Sequence, residues 1–324
     1  MTIEQLKSGS YRIRQMYQGK LYSLTVKELP SNKDAQRMID EKILNASAYD
    51  RYSFKVAADK YVDAKSNVLS PSTIRGYNSI IRNIPDDFLR MHIGDIDTFA
   101  LQKLINRYSS DHSAKSTHNL SGFVCSVLGM FCPNKKFQLT LPQKPHKTNY
   151  TPSHNDVVRL LNESKDTEFY AALYLAALSC RVSEICAVTM DDLNGDELTI
   201  NKALVRGDKG FILKETPKTD ASNRTITLPH ELVEWIQNHG YIYRLYPLQI
   251  DKYLRRTLPK LGIPFFSPHK LRHFFASYSH DLGYSDAMIQ SLGGWSTDLV
   301  MKRIYRHSMN EKEAKQSIKA DFTF

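Results

Sequence analysis

Ser267-Pro-His-Lys-Leu-Arg-His273 opens, and Leu292-Gly-Gly-Trp295 through Ile304-Tyr-Arg-His307 closes, the stretch on which the reading of this chain turns. A serine followed by proline is a helix opening, with the hydroxyl as cap and the proline at the first helical position. On the helix so started, His269 and Arg272 are three residues apart and share a face. Leu271, Phe274, Phe275 and Tyr278 turn toward a core. Gly283 stops this helix, and Ser285 or Asp286 caps the next, which carries Met288, Ile289 and Leu292. A Gly293-Gly294 turn then delivers Trp295, with Tyr305 ten residues beyond. An imidazole, a guanidinium, an indole N–H and a phenol on one compact segment are the equipment for gripping a phosphate and attacking it.

Working outward, the 324 residues have room for two or three domains. The fold class expected is mainly α with small β elements. Residues 1–48 form a β-ribbon with a helix, 52–132 a helical bundle, 133–152 a basic proline-rich linker, and 153–324 a mixed α/β domain with a tail. The ribbon follows from period-two alternation between Ser10 and Val26 around Gln18-Gly19-Lys20, with a third short strand possible. A helix from Ser31 or Asn32 places Ala35, Met38, Ile39 and Ile43 on one face.

The bundle is read as four helices. Their inward residues are Phe54, Ala57, Ala58, Tyr61 and Val62, then Ile74, Tyr77, Ile80, Ile81 and Ile84 after Ser70-Pro71, then Phe99, Leu104, Ile105 and Tyr108 after Asp97, then Leu120, Phe123, Val124, Val127, Leu128 and Phe131 after Ser116-Thr117. In the last domain a helix over Tyr170–Leu178 is apolar nearly all round and therefore central. Strands follow at Leu198–Ile200, Phe211–Leu213 and Arg224–Leu228, with Lys218 in the turn between the last two.

A net charge of +10 points to a polyanionic partner, and nucleic acid is the commonest. No apolar run is long enough to span a membrane and the N-terminus has no secretory pattern, so a cytoplasmic protein is expected. Cys125, Cys132, Cys180 and Cys186 lie in apolar helical patterns and are expected as free thiols. P-loop, zinc-protease and nucleophile-elbow signatures are missing, and carboxylates do not cluster as a two-metal nuclease requires. An enzyme working on DNA phosphates here must stabilise charge with its own cations.

Singly, each candidate has an ordinary reading: Arg181 with Glu184 as a structural pair, Lys218 as a solvated turn residue, Trp295 as a core aromatic. Together, the order Arg…Lys…His-x-x-Arg…Trp…Tyr resembles the tyrosine recombinase (phage integrase) family. The matching stretches are Leu-Ser-Cys-Arg181-Val-Ser-Glu-Ile, Pro-Lys218-Thr-Asp-Ala-Ser-Asn-Arg-Thr-Ile, Pro-His269-Lys-Leu-Arg272-His and Leu-Gly-Gly-Trp295…Tyr305-Arg-His. More loosely, the ribbon and bundle upstream resemble the arm-binding and core-binding domains of two-site integrases.

The resemblance implies a site-specific recombinase that integrates and excises a phage or mobile element. Tyr305 would be the nucleophile that forms a 3′-phosphotyrosyl link. Arg181 and Arg272 would clamp the phosphate, Lys218 would protonate the leaving 5′-oxygen, and His269 would exchange a proton with the tyrosine. Trp295 would donate its indole N–H to the phosphate, and Glu184 would orient Arg181. No cofactor or metal is implied, because the tyrosyl ester stores the energy for rejoining. The implied partners are double-stranded DNA attachment sites and three further copies of the chain in a homotetramer. A DNA-bending protein and an excision factor are admitted as accessories, and the implied setting is a bacterial cytoplasm at the nucleoid.

The sequence departs from the family pattern where Ser179-Cys180 replaces a Thr-Gly-type pair, and where Trp295 stands for the usual histidine after Leu-Gly. The Trp295-to-Tyr305 interval is also one residue longer than in the shortest members. The tail, with Ala314, Ile318, Phe322 and Phe324, is expected to dock on a neighbouring protomer. Two other classes stay open: a type IB topoisomerase-like DNA-relaxing enzyme, and a non-catalytic DNA-binding regulator of the same fold.

Overall fold

The computed structural model describes residues 1–17, 20–50, 52–145, 150–215, 223–295 and 297, with the backbone alone at 20 and 44–50. The Lys218 turn (216–222), Tyr305, His307 and the tail lie outside the described residues. The chain divides into two compact units, Met1–His146 and Lys147–Phe324. Helices dominate and the sheets are small, as the sequence predicts.

The first unit begins with an antiparallel sheet of β1 (Thr2–Gln5), β2 (Tyr11–Tyr17) and β3 (Lys20–Val26), in that order. Ile13 lies opposite Leu24, and Gln15 opposite Tyr22. Period-two alternation sends this set to one face. There Ile13 and Tyr22 are buried with Ala35, Ile39 and Ile43 of α1 (Asn32–Asp50). Arg12, Arg14 and Met16 alternate with them, on the other face. Met16 is exposed there and lies opposite the exposed Leu21.

The bundle consists of α2 (Phe54–Ala64), α3 (Pro71–Asn83), α4 (Asp86–Arg90), α5 (Thr98–Asp111) and α6 (Ala114–Phe131). Side-chain caps from Ser53, Ser70, Asp97 and Ser113 take orphan N–H groups at four of the starts. Three details correct the sequence reading. α6 is capped by Ser113, three residues before the expected start. α4 was not anticipated, since five residues are too few to display a helical period. Phe99 is exposed, because Leu101, Leu104, Ile105 and Tyr108 already define the buried stripe and residue 99 falls off it.

Residues after α6 do not run free as a basic linker. Phe137, Leu139 and Leu141 pack on the bundle core. Lys135 donates to the carbonyls of Ile93 and Ile96 (3.0 and 2.9 Å), which satisfies a buried turn rather than crossing a phosphate backbone. Gln102 exchanges side-chain hydrogen bonds with the Thr140 backbone (3.0 and 2.9 Å).

The second unit is built on α8 (Tyr170–Ala177), which α7 (His154–Ser164), α10 (His230–His239) and α12 (His269–Asp281) surround. Its small apolar residues make it buried on nearly every side. A short α9 (Val182–Ile185) follows, then a sheet of β4 (Leu193–Asn194), β5 (Glu197–Ile200) and β8 (Arg224–Thr227). β6 (Ala203–Arg206) and β7 (Phe211–Lys214) make a separate antiparallel ribbon, of which the sequence showed only the second strand. α11 (Pro247–Lys260) and α13 (Asp286–Gly293) complete the unit.

Candidate active site

The centre of the site is set by how α8 ends. Ser179 has φ +79, its N–H bonds the Ala176 carbonyl (3.1 Å), and the Cys180 N–H bonds the Leu175 carbonyl (2.9 Å). This paired closure ordinarily takes glycine at the left-handed position, and an L residue there costs about 1–2 kcal/mol. The left-handed residue is therefore Ser179, whereas placing a Thr-Gly-type pair over Ser179-Cys180 would put the glycine at Cys180. The strain is offset because the turn aims the Ser179 carbonyl inward. That carbonyl accepts a short hydrogen bond from Arg272 Nη1, and one from Arg224 Nη2 (3.4 Å). Ser179 Oγ adds a third contact, to Arg272 Nη1 at 3.3 Å.

The same turn places Arg181 at the head of α9, with Glu184 one helical turn on. Glu184 Oε1 accepts from Arg181 Nη1 (2.5 Å), and Oε2 from the Arg181 backbone N–H (2.9 Å) and Arg224 Nη2 (3.1 Å). Its side chain is 4% exposed. Burial by itself would raise its pKa. Arg224, the backbone N–H and Arg181 outweigh burial and hold the carboxyl below its ordinary range, so Glu184 is ionised. It bonds both the side chain and the backbone N–H of Arg181, and holds Arg224 as well.

α12 supplies the second half. Pro268 has helical backbone angles but lies just outside the helix, and no side-chain cap from Ser267 forms; the Ser267 carbonyl accepts from the Lys270 N–H (2.8 Å). Arg272, one turn in, is 2% exposed. Its Nη2 reaches the Gly294 carbonyl (3.5 Å), which also accepts from Arg181 Nη2 (2.8 Å). Two guanidiniums from distant parts of the sequence thus meet on one carbonyl oxygen. Burial, then Arg181 and Arg224, push Arg272 down to about 9, still a cation at neutral pH.

Trp295 packs on Arg272. Its ring lies 4.0 Å from the Arg272 guanidinium, a cation–π contact between two buried groups, and packs at 6.4 Å from Phe275. Gly293 is required for that position, since a Cβ there would fall 1.7 Å from the ring. Gly294 turns the chain with φ +62. The face of the ring thus serves Arg272.

His269 is exposed at the mouth, with its ring 4.9 Å from that of His273 in an edge-to-face arrangement. The protein packed behind it, then Arg272, Arg181 and Lys270, lower its pKa below the usual 6.5, so it is neutral at pH 7 and able to take a proton. His273 is pushed to about 4, by burial first and then by His269, Lys270 and Arg272. Unfolded His273 would bind a proton before the folded residue does. Its contribution to stability is therefore complete above pH 6.5 and is lost as pH falls toward 4, at a cost of about 3 kcal/mol. Thermal melts between pH 7 and 4 should show that loss shrink in His273→Gln; an unaltered slope would contradict it.

Arg181, Glu184, His269, Arg272 and Trp295 are thus brought together, while Lys218 and Tyr305 lie outside the described residues. Sequence reasoning missed Arg224, although period-two alternation puts it on the same face of β8 as the buried Ile226. Among the described residues, Glu184 is the carboxylate that offsets Arg272, and three guanidiniums share it. The cluster carries excess positive charge, suited to a phosphate with charge building on its non-bridging oxygens. Among the described residues no group of His, Cys, Asp or Glu is placed to hold a metal ion, and no helix is long and apolar enough to cross a membrane.

Comparison with known proteins agrees with this architecture. The phage integrase family profile matches residues 152–312, and that of the phage integrase N-terminal SAM-like domain matches residues 53–109. Tyrosine recombinase XerA of Pyrococcus furiosus is 26% identical over 198 residues, which cover 55% of this chain and 63% of that protein, less than two thirds of its length. XerA of Thermococcus kodakarensis is 26% identical over 271 residues, 76% of this chain and 88% of that one. Among solved structures, the Tn1549 transposon integrase in complex with a circular intermediate DNA superposes with a TM-score of 0.66 at 15% identity, covering 78% of this chain and 94% of that one. A lambda integrase tetramer bound to a Holliday junction gives 0.57 at 15% identity, covering 91% and 96%. The two matched domains stand in the order in which the fold presents them, and the chain belongs to the phage integrase family, the tyrosine recombinases, which break and rejoin DNA strands by transesterification.

Proposed function

We propose that this protein is a site-specific DNA recombinase, an integrase that moves a phage or other mobile element into and out of a chromosome. The observation that carries the proposal is the meeting of Arg181 and Arg272 on the Gly294 carbonyl, with neutral His269 at the mouth. Two forked cations so fixed suit a pentacoordinate phosphoryl transition state, where charge builds on the equatorial oxygens. Tyr305 is the nucleophile: its phenolic oxygen bonds to phosphorus as the bond to the 5′-oxygen breaks, giving a 3′-phosphotyrosyl ester and a 5′-hydroxyl. His269 takes the phenolic proton, and Lys218 gives one to the leaving oxygen. Reversal with a 5′-hydroxyl from the partner duplex completes the exchange without a cofactor.

In this reading residues 1–48 bind arm-type DNA, 52–132 hold the core site, and 153–324 cut it as one protomer of a homotetramer. The face of the N-terminal sheet that bears Arg12 and Arg14 suits such binding. A supercoiled plasmid with two copies of the element's junction sequence tests the proposal. Recombinant circles should form, and only when both sites are present. Turnover relaxation of a plasmid without sites, and no recombinants, would instead indicate a DNA-relaxing enzyme.

A further inference from the structure

Arg224 opens β8 opposite Ile200 and points inward with Ile226. Its side chain is only 6% exposed. A strand position facing a core would ordinarily hold an aliphatic residue, and an arginine there must find partners for its donors. Arg224 finds them on three separate segments. Nε donates to the Leu292 carbonyl at the end of α13 (3.1 Å). Nη2 reaches the Ser179 carbonyl at the end of α8 (3.4 Å) and Glu184 Oε2 on α9 (3.1 Å).

Each of these partners holds, or adjoins a group that holds, one of the paired arginines. Ser179 also receives Arg272. Glu184 also receives Arg181. Leu292 lies two residues before Gly294, whose carbonyl receives both. A planar fork serves these directions at once, and a lysine could not. We infer that Arg224 is a positioning residue for strand cleavage: it fixes the carboxylate and the carbonyls that aim Arg181 and Arg272 at the scissile phosphate. The inference rests on the recombinase reading above and assigns Arg224 no contact with DNA.

Single-turnover cleavage of a duplex bearing the element's junction sequence tests it, with either a normal scissile phosphate or a methylphosphonate there. The methyl group replaces one non-bridging oxygen and removes the negative charge, so that substrate depends far less on two well-aimed guanidiniums. Arg224→Lys and Arg224→Gln are run in parallel, so that one folded variant suffices, and rates are normalised to DNA-bound protein. The phosphodiester should be cleaved about 100-fold more slowly than by wild type, and the methylphosphonate within about 3-fold of wild type. In an Arg272→Ala background the Arg224 substitution should add almost nothing, as expected of residues acting through one another. Equal slowing on both substrates would mean a merely structural role, and unchanged rates on both would mean no role; either overturns the inference. Wild-type protein that cleaves neither substrate overturns the recombinase reading, and this inference with it.

Discussion

Arg272→Lys is expected to lower single-turnover strand cleavage about 1,000-fold while leaving DNA affinity within a few-fold of wild type. The substitution keeps the charge and removes the geometry. Arg272 Nη1 bonds the carbonyl and hydroxyl of Ser179, its Nη2 reaches Gly294, and its guanidinium lies over the face of Trp295. An ammonium on a flexible stem cannot hold those positions together, so the phosphate would meet a displaced point charge. Binding draws on many surface cations and should barely notice. Quench-flow cleavage and gel-shift affinity measured on one preparation check both halves. Cleavage within 10-fold of wild type would show that the aim of this side chain does not matter.

Glu184→Gln should produce the largest loss of stability among the site residues. The amide keeps the shape but removes the anion shared by Arg181 and Arg224, the latter 6% exposed. Breaking a buried ion pair by deleting one partner costs about 3–5 kcal/mol, because the remaining charge is left uncompensated. For a unit of this size that corresponds to a fall in Tm of about 10 °C. Phosphate or sulfate in the buffer should restore part of the loss by standing in for the carboxylate, while chloride at equal ionic strength should not. A Tm within about 2 °C of wild type would mean that the arginines are neutralised elsewhere.

Much of this arrangement was legible in the sequence. Helix periodicity and serine or aspartate caps revealed most of the bundle, and Gly283 and Ser285 marked the end of α12 and the start of α13. The family motif picked out Arg181, Glu184, His269, Arg272 and Trp295, which the fold does gather. What escaped had no local signal. Ser179 adopts a glycine conformation without being glycine, so nothing in its identity announces the turn. Arg224 looks like a solvated strand residue until β8 is paired with β5 and its partners arrive from α8, α9 and α13. Lys135 read as one basic linker residue among several, yet its ammonium satisfies carbonyls some 40 positions earlier. In each case the deciding contact is distant in sequence, where periodicity and capping carry no information.

The central claim is that Tyr305 attacks a DNA phosphate held by Arg181 and Arg272. It is tested most directly with a nicked suicide duplex of the element's junction sequence, incubated with the full chain in the presence of a chelator. Wild type should become covalently attached to the 3′ side of the cut, giving an adduct stable to detergent and removed by protease, and Tyr305→Phe should give none. No adduct from wild type, or an equal adduct from Tyr305→Phe, would contradict the account.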